Sequence, residues 1–165
     1  MISFVRSLEL QLQEMARKVE EQKQQIAMAM RDPLTGLRNR EGAADQINTL
    51  LKKETKATFF IMDMDNFKCV NDTYGHVEGD RVLVRFSSAL RKVIGAEDIV
   101  ARLGGDEFAM VLYSVHSEYE VQRICAALSQ EFNRPFDLHN GHLASMTLSI
   151  GFALTWEHAS AEKLQ

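Results

Sequence analysis

The chain has 165 residues, 45% of them hydrophobic, which is enough for one globular domain with its own core and an appendage. Asp and Glu total 23 against 19 for Lys and Arg, and the resulting charge of −4 argues against a broad binding face for nucleic-acid polymers. This balance remains compatible with a single nucleotide held by local charges and a metal.

The chain carries no sign of export or membrane insertion. No segment approaches the ~18 apolar residues of a membrane span, and Met1 to Val5 lack a signal-peptide profile. Cys69 and Cys125 lie far apart without metal-ligand spacing, and we interpret them as buried free thiols in a reducing compartment. We therefore predict a cytoplasmic location and no membrane span in this chain.

The first segment, residues 1–31, has no Gly or Pro and carries an apolar repeat with alternating spacings of three and four. This repeat is the a/d seam of a coiled coil, and a lone helix would expose it to water. We predict a coiled-coil helix that forms a parallel homodimer; the alternative is a helix packed on its own domain. Gln22 weakens the seam and would fix its register. The seam consists of Val5, Leu8, Leu12, Met15, Val19, Gln22, Ile26 and Ala29.

The next segment predicts a loop followed by a helix. Pro33 disfavours helical geometry in the residue before it, so the first helix ends there and residues 32–38 form a loop. Asn39 is a suitable cap for a helix that runs to about Lys53.

Residues 58–62 are a continuous apolar run, which predicts a central strand covered on both faces. This strand brings Asp63 and Asp65 to its carboxyl end, where α/β sheets usually bind ligands. Asp63 is the first metal candidate. For Asp65 we favour a structural hydrogen bond or a solvent-facing position over metal coordination.

The remaining chain alternates helices and strands, so the predicted fold class is α/β. Residues 67–79 hold several short polar side chains and predict an irregular pocket wall. The other predicted elements are a helix at 78–94, paired strands at 98–102 and 108–113, a helix at 117–132, a hairpin of 136–138 with 146–154, and a first helical turn at 160–165.

Residues 102–108, Arg-Leu-Gly-Gly-Asp-Glu-Phe, predict the tip of a β-hairpin that carries two adjacent carboxylates. Gly104 and Gly105 are a strong turn signal between apolar runs, and bare glycines allow backbone N–H groups to approach a phosphate. Asp106 and Glu107 are candidates for a divalent metal and for proton transfer. The alternative is an ordinary solvated turn.

Residues 102–108 carry the signature of the GGDEF family, the bacterial diguanylate cyclases, and the chain resembles that family in three further blocks in the expected order. The resemblance covers about residues 31–160 and includes Ser149-Ile150-Gly151. The three blocks are Asp32-Pro33-Leu34-Thr35-Gly36-Leu37-Arg38-Asn39-Arg40, Asp63-Met64-Asp65-Asn66-Phe67-Lys68 with Asn71-Asp72, and Tyr74-Gly75-His76 with Gly79-Asp80.

The resemblance implies the fold shared by GGDEF domains and class III nucleotide cyclases, a mixed sheet with a central antiparallel hairpin wrapped by helices. It implies a diguanylate cyclase that condenses two GTP molecules into cyclic di-GMP and pyrophosphate across a homodimer. The implied metal is Mg²⁺, with Mn²⁺ as the alternative.

The family's site residues are carried over to matching positions of this chain. The implied metal ligands are Asp63, Asp106 and the main-chain carbonyl of Met64, and Asp106 is also the candidate proton acceptor. Asn71 and Asp80 correspond to the pair that reads guanine. The remaining substrate-binding candidates are Lys68, His76, Gly104 and Gly105.

Two departures from the family pattern affect the prediction. The product-inhibition motif Arg-x-x-Asp reads Gly95-Ala96-Glu97-Asp98 here, so its arginine is missing. Residues 32–165 are expected to be a GGDEF domain truncated at its C-terminus, because the family continues into a basic helix and a final strand. The alternative function is accordingly a non-catalytic module for GTP binding or dimerisation.

Overall fold

The protein is described by a computed structural model, which covers residues 2–52, 56–95, 97–138, 141 and 143–155. Its elements in chain order are α1 (Ile2–Ala29), α2 (Arg40–Leu51), β1 (Thr58–Met64), α3 (Phe67–Tyr74), α4 (His76–Val93), β2 (Ile99–Gly104), β3 (Glu107–Leu112), α5 (Glu118–Asn133), β4 (Phe136–Asp137), β5 (Leu143–Ala144) and β6 (Leu148–Leu154). Within these residues, no helix has the length and apolarity needed to cross a membrane.

The main sheet has the order β2-β3-β1-β6, and its three strand pairings are antiparallel. A parallel bridge joins Arg38, in the loop before α2, to Ala101 of β2. The α/β fold with a central antiparallel hairpin is therefore confirmed. Successive side chains of a strand point to opposite faces, and β1 buries Phe60 and Met62 on one face only. The prediction that both faces are covered was wrong, because Ile61 on the other face is 52% exposed.

The core lies between the sheet and helices α4 and α5. Phe86 of α4 makes edge-to-face contacts with Phe108 of β3 and Phe132 of α5, at ring-centroid distances of 4.7 and 4.6 Å. These rings are fully buried, and such geometry adds about 0.5–1.5 kcal/mol per pair to the burial of apolar surface. The helices predicted at 78–94 and 117–132 therefore supply apolar side chains to this core.

Residues 67–79 were predicted to be irregular, and this prediction was wrong. They form α3 and the start of α4, because Phe67 and Val70 bury one side of a short helix. Gly75, with φ of +88°, separates the two helices. Cys69 lies on the other side of α3 and is exposed, contrary to expectation, while Cys125 is half-buried; both thiols are free.

The predicted hairpin of residues 136–138 with 146–154 was also wrong. The short strand β4 pairs with β5, and β6 pairs instead with the whole length of β1. Seven residue pairs join β6 to β1, so the sheet offers this segment far more backbone hydrogen bonding than β4 does. The predicted helical turn at 160–165 lies outside the described residues.

Helix α1 exposes its apolar seam, so the alternative of packing on its own domain is not what the structure shows. Leu12 and Met15 are each 64% exposed. The side chain of Asn39 joins α1 to α2: its Nδ2 donates to the Ala29 carbonyl at 2.7 Å, and its Oδ1 accepts from the Gly42 N–H at 2.9 Å. The predicted cap is therefore confirmed, and it also anchors the end of α1.

Candidate functional site

The turn between β2 and β3 is the exposed tip predicted from the two glycines. Gly104 has φ of +148° and Gly105 has φ of +54°, values that side-chain-bearing residues rarely adopt. A Cβ at either position would meet nothing within 4 Å, so the backbone faces open space. The turn can therefore lie against a ligand, with half-buried Asp106 as its next residue.

Asp63 and Glu107 are directly opposite each other on neighbouring strands β1 and β3. Directly opposed residues of an antiparallel pair project from the same face, with Cβ atoms about 4.5–5.5 Å apart. Burial raises the pKa of Asp63, and the negative charges of Asp106, Glu107 and Asp65 raise it further against a hydrogen bond from Met64. This edge of the sheet therefore carries concentrated negative charge and would gain from a cation.

The described residues contain no closed cluster of three or more His, Cys, Asp or Glu side chains that could hold a metal on their own. This arrangement still suits a hard cation that takes one or two carboxylates and completes its shell with waters and substrate phosphates, as Mg²⁺ usually does. The donor set of Asp63, the Glu107 opposite it and Asp106 in the turn is made of oxygen atoms throughout.

Asp65 has the structural role favoured from the sequence. Its carboxylate accepts hydrogen bonds from the hydroxyls of Thr147 at 2.5 Å and Ser149 at 2.6 Å, and its N–H donates to the Thr147 carbonyl. The two hydroxyl donors lower the pKa of Asp65. Asp65 therefore fastens the start of β6 to the end of β1 beside Asp63.

The predicted guanine pair lies on the two helices that flank Gly75. Asn71 of α3 is half-buried and packs against α4 so closely that a Cβ on Gly79 would fall 1.9 Å from its Oδ1. Asp80 follows Gly79 and is exposed. Gly79 thus allows α4 to approach Asn71 closely, and Asp80 is the next residue of α4.

The other predicted substrate contacts are exposed on the same pair of helices. Lys68 lies in the first turn of α3, and His76 opens α4. The side chain of Asn66 does not cap α3, and N–H groups at a helix start favour anions. The first turn of α3 therefore presents positive potential immediately after the β1 end that carries Asp63.

The structure adds arginine contacts that the sequence analysis missed. Arg102 donates from Nε to the Gly105 carbonyl at 2.9 Å and from Nη1 to both carboxylate oxygens of Asp32 at 3.2 Å. Arg40 donates to the Leu103 carbonyl at 3.1 Å and approaches the Glu107 carboxylate at 3.4 Å. Their positions in the 32–40 and 102–108 blocks were visible, but nothing in the sequence pairs these blocks.

Comparison with known proteins agrees with this geometry. Residues 29–165 match the family described as "Diguanylate cyclase, GGDEF domain". The chain is 58% identical over 146 residues to diguanylate cyclase DgcN of Escherichia coli strain K12, covering 86% of this chain and 36% of that protein. It is 38% identical over 149 residues to diguanylate cyclase TpbB of Pseudomonas aeruginosa, covering 87% and 34%. The chain thus spans about a third of the length of these relatives.

Solved structures resemble the fold in the same way. The GGDEF domain of PA1120 (TpbB or YfiN) from Pseudomonas aeruginosa aligns with a TM-score of 0.68 at 34% identity, over 75% of this chain and 74% of that chain. The coiled coil and GGDEF domain of DgcB from Caulobacter crescentus, in complex with c-di-GMP, aligns with a TM-score of 0.70 at 26% identity, over 94% and 91%.

Proposed function

This chain belongs to the GGDEF-domain family of diguanylate cyclases, and we propose that it condenses two GTP molecules into cyclic di-GMP with release of pyrophosphate. The observation that carries the proposal is the opposition of Asp63 and Glu107 across β1 and β3, next to a glycine turn that presents Asp106. Phosphoryl transfer needs oxygen ligands for a cation and a proton acceptor near the attacking hydroxyl. The site has both.

The family generally depends on a divalent metal, and we propose Mg²⁺, with Mn²⁺ as a substitute. Asp63, Asp106 and the Met64 carbonyl would hold it, and the strand register adds Glu107 as a further carboxylate. When bound, the ion neutralises triphosphate charge and stabilises the leaving pyrophosphate. Without it, the acids on this edge would repel the substrate.

Side chains and backbone groups of this chain carry out proton transfer and triphosphate binding. Asp106 takes the proton from the 3′-hydroxyl that attacks the α-phosphorus of the second GTP, because the turn projects it beyond the sheet. Lys68 and the first turn of α3 bind the triphosphate. Gly104 and Gly105 allow the turn backbone to approach the nucleotide without a Cβ.

We assign recognition of the base to Asn71 of α3 and Asp80 of α4. The Asp80 carboxylate accepts from the N1–H and 2-amino groups of guanine, and the Asn71 amide binds the same base edge. His76 lies at the start of α4. Adenine lacks that pair of donors, so GTP is preferred to ATP.

The reaction joins two nucleotides, and each domain holds one. We propose that the exposed seam of α1 forms a parallel coiled coil with a second copy, which brings two half-sites face to face. The large apolar residues at the seam positions of α1 are 43–64% exposed. The likeness to the DgcB coiled coil and GGDEF domain over 94% of this chain supports this arrangement.

The alternative of a non-catalytic binding or dimerisation module is not favoured, since the site residues quoted above are present and the similar proteins are named as cyclases.

We place the domain in the cytoplasm, where GTP is available and free thiols persist.

The direct test is product formation. The chain is incubated with GTP and Mg²⁺, and cyclic di-GMP and pyrophosphate are separated by chromatography. Asp63→Asn and Asp106→Asn should each abolish product, whereas Glu118→Gln, at the opposite end of β3 on α5, should leave it unchanged. Product from ATP at the rate seen with GTP, or full activity in Asp106→Asn, would refute the assignment.

A further inference from the structure

Arg102 makes contacts in two directions from one guanidinium. Its Nε binds the carbonyl of Gly105, the residue immediately before Asp106, at 2.9 Å. Its Nη1 binds Asp32, in the loop that follows α1, at 3.2 Å from each carboxylate oxygen. The backbone repeats the link, because the Arg102 N–H donates to the Arg38 carbonyl at 2.8 Å. The turn is thereby tied to the loop after α1.

The Asp32 end of this link is firmly held. Its Oδ1 also accepts from the N–H of Thr35 at 2.8 Å and from the Thr35 hydroxyl at 2.6 Å. Burial acts to raise the pKa of Asp32, but the donors Thr35 and Arg102 outweigh it and lower that pKa. The ion-pair side chains are 14% (Arg102) and 17% (Asp32) exposed, so solvent screens this pair far less than a surface pair.

A second guanidinium contacts the other side of the turn, but less firmly. Arg40 donates to the Leu103 carbonyl at 3.1 Å, and its side chain is 68% exposed. Exposed pairs such as Arg40 with Glu107 contribute little because water and salt compete for both charges. Arg102 is therefore the contact that restrains the turn.

We propose that Arg102 is a positioning residue for the reaction, and that Asp32 orients it. By holding the Gly105 carbonyl, Arg102 fixes the direction in which the next residue, Asp106, leaves the turn. This inference rests on the proposed function, because it gives Arg102 a role through Asp106. Gly104 and Gly105 permit the positive φ angles of the turn but do not select them, since glycine has the widest conformational choice of any residue. The guanidinium supplies that selection.

Lysine cannot replace this group. Arginine presents several donors in one rigid plane and can serve a carboxylate and a carbonyl together, whereas an ammonium is a single point charge on a flexible stem. Arg102→Lys should keep the charge opposite Asp32 and lose the contact with Gly105. This variant separates positioning of the turn from support of the fold.

The matched control is Arg91→Gln. Arg91 of α4 donates to the Thr35 carbonyl at 2.8 Å, so it holds the same loop but does not reach the turn. Four quantities are measured for the chain and both variants: kcat for GTP, KM for GTP, the melting temperature, and the rate of hydrogen–deuterium exchange in the peptide covering residues 103–108.

In Arg102→Lys we expect kcat to fall by roughly 10²-fold with KM within about twofold, since a displacement near 1 Å has effects of that size on positioned groups. Exchange at 103–108 should be about tenfold faster because a charge-assisted hydrogen bond is lost. Arg91→Gln should show neither change. Wild-type kcat and exchange in Arg102→Lys would overturn the proposal, as would equal losses in Arg91→Gln.

The outcome also distinguishes this inference from the proposed function. If the unaltered chain makes no product, the proposed function fails, and exchange at 103–108 alone decides whether Arg102 fixes the turn. If the unaltered chain is active and Arg102→Lys changes only the melting temperature, the function stands and Arg102 is a purely structural residue.

Discussion

Gly79→Ala tests the proposed guanine-binding residues Asn71 and Asp80 by adding a single methyl group. A Cβ at this position would lie 1.9 Å from Asn71 Oδ1, 3.0 Å from its Cγ and 3.2 Å from Phe67 Cζ. Cβ contacts below 3.0 Å essentially do not occur, so the Asn71 amide must retreat by roughly 1 Å or more. The methyl group therefore removes Asn71 from the base without changing any acid at the end of β1.

The magnitude follows from the lost contact. Leaving a polar group of guanine without its partner costs about 1–3 kcal/mol, which corresponds to roughly 5- to 150-fold weaker GTP binding. ATP binding should change little, because the proposed contacts read groups that adenine lacks. The preference for GTP over ATP should accordingly shrink by the same factor, while the Mg²⁺ dependence of binding is kept.

Calorimetric titration with non-hydrolysable GTP and ATP analogues measures both affinities. Gly151→Ala is the matched control, because a Cβ at that strand position meets nothing within 4 Å. Helix propensity works in the opposite direction, since alanine is about 1 kcal/mol more favourable than glycine inside a helix. A folded Gly79→Ala variant that binds GTP with unchanged affinity and unchanged base preference would refute the assignment of Asn71.

Three further results are expected. Removal of residues 2–29 should convert a dimer into a monomer, as measured by light scattering, and should sharply reduce product. If the unaltered chain and the shortened chain are both monomers at high concentration, the seam was misinterpreted. Asp63→Asn should raise the melting temperature without metal at pH 7, because the folded-state pKa of Asp63 is raised above 3.8. Its charge therefore costs stability above that folded pKa and costs nothing below 3.8. The melting curves of the two proteins should converge in acid, and a more stable wild type at pH 7 would contradict this. Cyclic di-GMP should not bind tightly at the turn before β2, because Gly95 stands at the position of the motif's arginine and offers no guanidinium to the ligand; submicromolar binding there by calorimetry would contradict this.

The long helices and the hairpin were predictable because their signals are local and repeated. The seam of α1 extends over many turns, and the Gly104-Gly105 turn separates two runs of strand-forming residues. Helix α3 was missed because it has only eight residues. Its buried positions, Phe67 and Val70, make a single apolar spacing, which is too short to establish a period among polar neighbours.

The pairing of β6 and the arginine contacts could not be predicted, because they join segments that are distant in the chain. A local hairpin is the default for neighbouring strands, yet β1 offered a longer free edge. Asp32 and Arg102 are 70 residues apart, and Arg40 and Glu107 are 67 residues apart. Composition and spacing identify each residue as charged, but only the packing of the 32–40 loop against β2 brings the pairs together.

Asp63 and Asp65 show how the fold separates two acids that look equivalent in the sequence. They are two residues apart, so a strand continuing through both would place them on the same face. β1 ends at Met64, and the carboxylate of Asp65 accepts hydrogen bonds from Thr147 and from Ser149, the residue opposite Asp63 on β6. Those donors satisfy the charge of Asp65 and lower its pKa, whereas burial and neighbouring acids raise the pKa of Asp63. Asp63 therefore has the more to gain from a bound cation, which is the physical reason to assign it, rather than Asp65, to the metal.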